Sequence, residues 1–258
     1  MTLTLQDLSA GYGRIPVIRN VSETWPAGAL TALIGCNGAG KSTLLRAVAG
    51  LAPATGRVTL DGVDAPPAAR AEAVAYMPQD TGAASSLTVL EVVLLGRLRS
   101  LGLRLPPEAV GAGLEALEDF GLAHLAAARI DEISGGQRQL VFLAQALLRA
   151  PRALLLDEPT AALDLRHQLL VLERLRDLAA RSGTVVVMAV HDLNLAAQFA
   201  DRICALHAGG ICAAGRPGAV LTPGRLREMY GIEAEVRRGA GGLQVIPLRA
   251  ADPRGAAA

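Results

Sequence analysis

Residues 29–49 read "ALTALIGCNGAGKSTLLRAVA". A continuous apolar run enters three closely spaced glycines and leaves them directly into a helix-like stretch. A short apolar run bounded by glycine reads as a buried strand, so the glycines lie where that strand leaves its sheet. Without a Cβ, their backbone N–H groups can turn toward an anion, and the positive amino end of the following helix faces the same point. Gly35 to Ser42 has the spacing G-x-x-x-x-G-K-[ST] in this strand–loop–helix context, which is the pattern of a phosphate-binding loop. Lys41 is placed to reach the β- and γ-phosphates of a nucleoside triphosphate and Ser42 to ligate Mg²⁺.

Two more runs behave like the first. "ALLLDEP" (153–159) and "TVVVMAVHD" (184–192) are continuously apolar, as strands covered on both faces are. Each ends in polar residues at its carboxyl side: Asp157-Glu158 in one and His191-Asp192 in the other. Ligands of an open α/β sheet bind at that edge, so three strands are expected to deliver their polar residues to one place. There Asp157 suits holding Mg²⁺ through water. Glu158, one residue on, is placed to polarise an attacking water as a general base.

The remaining chain supports one α/β domain. "MTLTLQDLSAGYG" and "GRVTLDG" alternate like half-exposed antiparallel strands. From about residue 85 to 150 the character turns helical. Thr88 and Glu91 form a capping-box pattern opening "VLEVVLLGRLRSLG", which Gly102 ends. Pro106-Pro107-Glu108 opens a second helix, closed by Gly121. A third helix runs from "ISGGQRQ" through "QLVFLAQALLRA" to Pro151. The organisation expected is a nucleotide-binding core (1–84 and 151–235), a helical insertion (85–150) and a C-terminal extension (236–258) with a frayed end at "RAADPRGAAA".

Composition excludes several alternatives. Hydrophobic residues are 51 % of the 258 and charged ones 19 %, enough for a large core. Twenty-five basic against 24 acidic residues leave a net charge of +1 with no basic block, against a nucleic-acid partner. Three scattered cysteines suggest a reducing compartment. Cys204 and Cys212 fall on a hairpin turning at Gly209-Gly210, as small buried hydrophobes. The amino terminus carries no signal-peptide pattern, and no apolar stretch reaches the ~18 residues of a membrane helix.

In order along the chain stand Tyr12, "GCNGAGKST", Gln79 in "MPQD", "ISGGQ", "LLLDEP", "ALD" and His191. Over nearly its whole length the sequence thereby resembles the nucleotide-binding subunits of ABC transporters. "ISGGQ" corresponds to the family signature, usually written with leucine where Ile133 stands. The resemblance implies a P-loop ABC-type fold: a mainly parallel sheet, an antiparallel β subdomain and an inserted helical subdomain. It implies ATP and Mg²⁺ as ligands, held by Gly35, Cys36, Asn37, Gly38, Ala39, Gly40, Lys41, Ser42 and Thr43. It also implies Tyr12 as the aromatic stacking on adenine, Gln79 as a contact to Mg²⁺ and water, Glu158 as the hydrolytic base and His191 as a γ-phosphate contact. Position 36, commonly proline in the family, is cysteine, and a thiol beside Lys41 is expected to react with alkylating agents unless ATP covers it.

The signature raises a separate point. Ser134, Gly135, Gly136 and Gln137 stand at a helix start, where N–H groups and the dipole favour an anion, yet nothing brings them onto their own phosphate loop. The resemblance implies a head-to-tail pair of subunits, each signature covering the ATP of the other, with Asp164 touching the opposite subunit. A second copy of the chain is then required. A membrane permease is a further partner, reached through "DTGAASSLTVLEVVLLGR" after Gln79, and a solute-binding protein an indirect one. The subunit would sit at the cytoplasmic face of the membrane.

Several stretches, among them "LDLRHQ", "VHDLNLAAQFADR" and "YGIEAEVRR", resemble the ATPases of iron-siderophore, haem and cobalamin importers, with the iron-siderophore group favoured. A soluble ABC-type ATPase of DNA repair or translation is the alternative of another class. It is disfavoured by the single cassette and the lack of a basic face. A non-hydrolysing regulatory subunit is disfavoured by Lys41, Asp157, Glu158 and His191 together.

Overall fold

The computed structural model describes residues 1–13, 15–79, 86–97, 107–239 and 241–251. Strands β1 (Thr2–Tyr12) and β2 (Ile15–Pro26) form a hairpin, and β3 (Leu30–Ile34) leads through the glycine loop into α1 (Lys41–Ala49). Next come β4 (Ala54–Leu60), β5 (Val63–Asp64), α2 (Pro67–Ala73) and β6 (Val74–Met77). The insertion holds α3 (Val89–Leu94), α4 (Pro107–Glu118) and α5 (Gly135–Leu148). The chain returns to the core with β7 (Ala153–Asp157), α6 (Leu165–Ser182), β8 (Val185–Ala189), α7 (Leu193–Phe199), β9 (Arg202–His207) and β10 (Gly210–Gly215). Short helices α8 (Pro217–Val220) and α9 (Pro223–Tyr230) precede a final hairpin, β11 (Ile232–Gly239) and β12 (Gly242–Ala250).

Among the described residues the central sheet runs β10-β9-β3-β8-β7-β6. All neighbours are parallel except the edge strand β10, which is antiparallel to β9. Every residue of β3, β7 and β8 is buried, because the sheet is covered on both faces. On one face Leu30, Ala32, Ile34, Leu154, Leu156 and Met188 pack with α5, α6 and α7. On the other, Leu33, Leu155, Val185 and Val187 pack with Leu44 and Val48 of α1 and with Trp25 of β2. Each fully buried Leu or Val contributes roughly 1.5–3 kcal/mol. The hydrophobic effect therefore fixes the three strand ends rigidly against one another.

The antiparallel sheet, β2-β1-β4-β5, buries every second residue of β1 at first, as its alternation requires. The alternation slips between Leu5 and Leu8, where Asp7 takes φ 49° and the pairing register shifts.

The insertion departs from the expected boundaries in two places. The capping box of Thr88 and Glu91 forms, but the α-helix stops at Leu94 and continues as a 3₁₀ turn, Leu95–Arg97. The expected end at Gly102 and the opening Pro106 lie outside the described residues. Helix α4 ends at Glu118, and Gly121 follows at φ 69°. Helix α5 stops at Leu148, short of Pro151, since Ala150 turns to φ 49°.

At the C-terminal side two expectations change. Arg249 is ladder-paired with Glu233 and Ala250 with Ile232, so the tail stretch begins ordered; residues 252–258 lie outside the described ones. The β9–β10 hairpin forms with its turn at Ala208-Gly209. Cys204 is buried but Cys212 is exposed, because β10 is the sheet edge and alternate residues face out.

Candidate nucleotide site

The glycine loop caps the carboxyl end of β3 and is shaped by two close approaches. Gly35 takes φ 157°, and a Cβ there would lie 2.4 Å from the Leu206 carbonyl oxygen of β9. Gly40 takes φ 103°, and a Cβ there would meet Ile18 Cδ1 at 2.6 Å. The loop is therefore wedged between two sheets in a conformation that side chains resist. Lys41, the first residue of α1, is buried and folds back so that Nζ donates to the carbonyls of Gly35 (2.8 Å) and Cys36 (3.3 Å). Burial lowers its pKa, opposed by the charges of Glu158 and Asp157.

A cleft of ≈ 690 Å³ lies over this loop. Its walls are Tyr12, Val17, Asn37, Gly38, Gly40, Lys41, Ser42, Thr43, Gln79, Glu158 and His191. These come from the ends of β1, β3, β6, β7 and β8 and from the start of β2, so the convergence read from the three apolar runs is present in space. Tyr12 is 53 % exposed at the end of β1, and its hydroxyl accepts from Thr43 Oγ1 at 3.5 Å. Gly35, Cys36 and Ala39 support the loop without lining the cleft.

Behind the cleft a polar chain holds Asp157. Arg46 Nε donates to the Tyr76 hydroxyl at 3.2 Å, and that hydroxyl donates to Asp157 Oδ2 at 3.2 Å. Oδ1 of Asp157 is buried and has no hydrogen-bond partner among the described residues. Burial pushes the Asp157 carboxyl above its ordinary value, while hydroxyls of Ser42 and Tyr76 draw it part of the way back. Burial likewise raises the Tyr76 phenol.

Glu158 is held on every side. Its backbone is in the left-handed region, φ 54°, a costly conformation for a non-glycine residue. Gln79 Nε2 donates to its Oε2 at 2.9 Å, and His191 Nε2 hydrogen-bonds its Oε1. The carboxylate thus points into the cleft between one amide and one imidazole.

The signature residues and Asp164 lie elsewhere. Ser134 is exposed at the start of α5 and forms a capping box: its Oγ accepts from Gln137 N (3.2 Å), and Gln137 Oε1 accepts from Ser134 N (3.0 Å). Asp164 caps α6, accepting from His167 N at 2.9 Å, with His167 Nδ1 also at 2.9 Å. Neither Ser134, Gly135, Gly136, Gln137 nor Asp164 lines the cleft. Cys36 is half-buried and its Sγ donates to the Met229 carbonyl at 2.7 Å, away from the cleft. The reactivity expected of a thiol beside Lys41, with ATP as its cover, meets a sulfur that is hydrogen-bonded to α9.

Sequence reasoning passed over Val17, Arg46, Tyr76 and Gln139. Val17 carries no signal. Tyr76 sits in an otherwise apolar strand and Gln139 on the apolar face of α5, and a polar residue at such a position is a signal in itself.

The family profile described as ABC transporter matches residues 18–161. The hemin import ATP-binding protein HmuV of Bordetella avium is 41 % identical over 248 residues, covering 92 % of this chain and 94 % of that protein. The cobalamin import ATP-binding protein BtuD of Halobacterium salinarum is 39 % identical, covering 96 % of this chain and 64 % of that longer protein. Among solved structures, an inward-facing ABC transporter described as metal-chelate type matches with a TM-score of 0.81 at 26 % identity, covering 96 % and 97 % of the two chains. The ATP-binding cassette MJ0796, solved as a dimer in a post-hydrolysis state with ADP and Pi, matches with a TM-score of 0.75 at 28 % identity, covering 83 % and 98 %. This chain therefore belongs to the ABC transporter family, as one of its ATP-binding cassettes, the ATPases that drive transport.

Proposed function

We propose that the chain is the ATP-hydrolysing subunit of an importer for a metal chelate and works as a head-to-tail dimer on a membrane permease. The observation carrying this is the division of the motifs. The phosphate loop, Gln79, Glu158 and His191 share one cleft, whereas Ser134 and Asp164 lie on exposed surface outside it. A second copy facing the first supplies the missing half. That the MJ0796 cassette is described as dimeric supports a paired state.

In this reading ATP lies over the loop, its adenine against Tyr12 and its β- and γ-phosphates against Lys41 and the loop N–H groups. Magnesium fits the donor set: the unpartnered buried Oδ1 of Asp157, the Ser42 hydroxyl and the Gln79 amide oxygen are the hard oxygen ligands it prefers. Bound there, the ion would neutralise charge on the phosphates. Glu158 orients and deprotonates the attacking water, and Gln79 and His191 aim its carboxylate. Lys41, His191 and the partner's signature stabilise the charge that develops. Loss of the γ-phosphate removes the contact shared by both copies, and the dimer opens.

A second cleft of ≈ 700 Å³ between core and insertion, lined by Tyr76, Pro78, Leu95, Phe142 and Arg149 among others, starts beside Gln79. We assign it to the permease, since it adjoins both the catalytic cleft and the helix carrying the signature. Among the described residues no helix is long and apolar enough to cross a membrane, so attachment is through that partner. A solute-binding protein would deliver the solute to the permease and touch this subunit only indirectly.

The relatives named for hemin and cobalamin import weigh toward haem or cobalamin ahead of the iron-siderophore expected from the sequence. Co-expression with a candidate permease, purification and reconstitution into liposomes with ATP inside tests the whole reading. ATP-dependent uptake of hemin is expected, with cobalamin and a ferric siderophore as the competing solutes. A cassette that copurifies with no polytopic membrane protein would favour the soluble ATPase class instead.

A further inference from the structure

Helix α5 begins with the signature stretch and then buries an amide. Gln139 is 3 % exposed, among the buried Leu140, Val141, Leu143 and Ala144 of the same helix. A carboxamide in such a place is costly unless both its ends are hydrogen-bonded. Both are: Nε2 donates to the Glu158 carbonyl oxygen at 2.8 Å, and Oε1 accepts from Ala162 N at 3.1 Å. These partners bracket the segment that joins β7 to α6. One turn earlier on the helix, Gly136 packs so closely on that segment that a Cβ would lie 2.9 Å from the Ala162 carbonyl oxygen.

The partner at Glu158 is the significant one, because that residue holds a left-handed φ of 54° that its surroundings must impose. Its N–H donates to the Ala189 carbonyl at 3.1 Å, and its own carbonyl accepts from Gln139 Nε2 at 2.8 Å and, more weakly, from Ala161 N at 3.3 Å. The backbone is thus clamped from β8 on one side and from α5 on the other, and its carboxylate is aimed as a result. No other side chain on α5 makes a hydrogen bond of this kind to Glu158 among the described residues.

The geometry points to Gln139 as a positioning residue for hydrolysis, fixing the backbone of Glu158 and tying it to the helix that carries Ser134. Gln139 touches no reacting atom; it acts through Glu158. Because Ser134 and Gln139 share one rigid helix, a displacement of α5 carries the Glu158 backbone with it. In the proposed dimer Ser134 faces the partner's ATP, so this helix links the state of one site to the aim of the base in the other. The inference rests on Glu158 being the hydrolytic base.

Gln139→Met keeps the length of the side chain and removes both hydrogen bonds, and it leaves the cleft residues unchanged. ATP turnover by the variant is expected to fall at least about tenfold, with KM and the affinity for a fluorescent ATP analogue within about twofold of wild type. Hydrogen exchange at the Ala162 amide is expected to accelerate, since its acceptor is gone. Turnover within about twofold of wild type, or turnover and nucleotide affinity falling together, overturns the positioning role. Should Gln139→Met not fold, Gln139→Leu also removes both hydrogen bonds with a shorter apolar side chain and is read by the same criteria. Glu158→Gln, assayed beside them, separates the two claims. If it is inactive while both Gln139 variants turn over normally, only the positioning role fails. If Glu158→Gln itself turns over normally, the base assignment fails and the inference with it.

Discussion

Gln79 Nε2 donates to Glu158 Oε2 at 2.9 Å, joining the residue just beyond β6 to the residue just beyond β7. With His191 on the other oxygen, the carboxylate has no rotameric freedom left to lose when substrate arrives. Glu158→Gln should bind ATP at near wild-type affinity and release phosphate at least about 10²-fold more slowly. With the γ-phosphate retained, the variant is expected to elute as a dimer in ATP and as a monomer without it. A variant that stays monomeric in ATP removes the composite-site account.

Gly40→Ala tests the loop rather than the chemistry. At φ 103°, with Ile18 Cδ1 2.6 Å from the new Cβ, alanine must shift either the loop or β2. A loss of about 1–3 kcal/mol is expected from backbone strain alone, seen as a lower melting temperature, together with loss of ATP binding. A variant with unchanged melting temperature and nucleotide affinity contradicts the wedged loop.

Asp157 makes stability depend on pH with a definite sign. Burial holds its carboxyl above the ordinary value, so over a window above that value the native state keeps a proton that the unfolded chain has released. Stability from this group therefore declines as pH rises through the window. Asparagine has no such proton. Without nucleotide or divalent cation, the melting temperature of Asp157→Asn should rise relative to wild type as pH increases above the ordinary carboxylate value. A constant difference across that range rejects the assignment. The same variant should lose magnesium-dependent hydrolysis.

The three thiols should react in an order set by exposure. Cys212 is exposed on the edge strand, Cys36 is half-buried and bonded to Met229, and Cys204 is buried. Maleimide labelling followed by peptide mapping is expected to modify Cys212 first, Cys36 slowly and Cys204 only on unfolding. ATP should protect Cys36 weakly, because its sulfur faces α9 rather than the cleft. Strong protection by ATP would show that the thiol turns toward the nucleotide.

Much of the site was legible because each part is local. "GCNGAGKST" specifies a strand exit, a turn that only glycine tolerates and a helix start within nine residues. The apolar runs ending in Asp157-Glu158 and His191 announce buried strands whose polar ends share an edge, since a covered parallel sheet leaves no other place for them. The boundaries of α3 and α5 were less legible. Where a helix stops depends on what its last turn packs against, and Ala150 turns to φ 49° with no glycine to mark it.

The sequence by itself determined the fold class, the phosphate loop and the set of polar residues at the sheet edge, because hydrophobic periodicity and backbone sterics act over a few residues at a time. Only the tertiary structure decided which way Cys36 turns, that Tyr76 and Arg46 stand behind Asp157, and that Gln139 clamps the backbone of Glu158. These contacts join positions between 19 and 193 residues apart. They exist because close packing brings those elements together, and no local pattern encodes a distance of that kind.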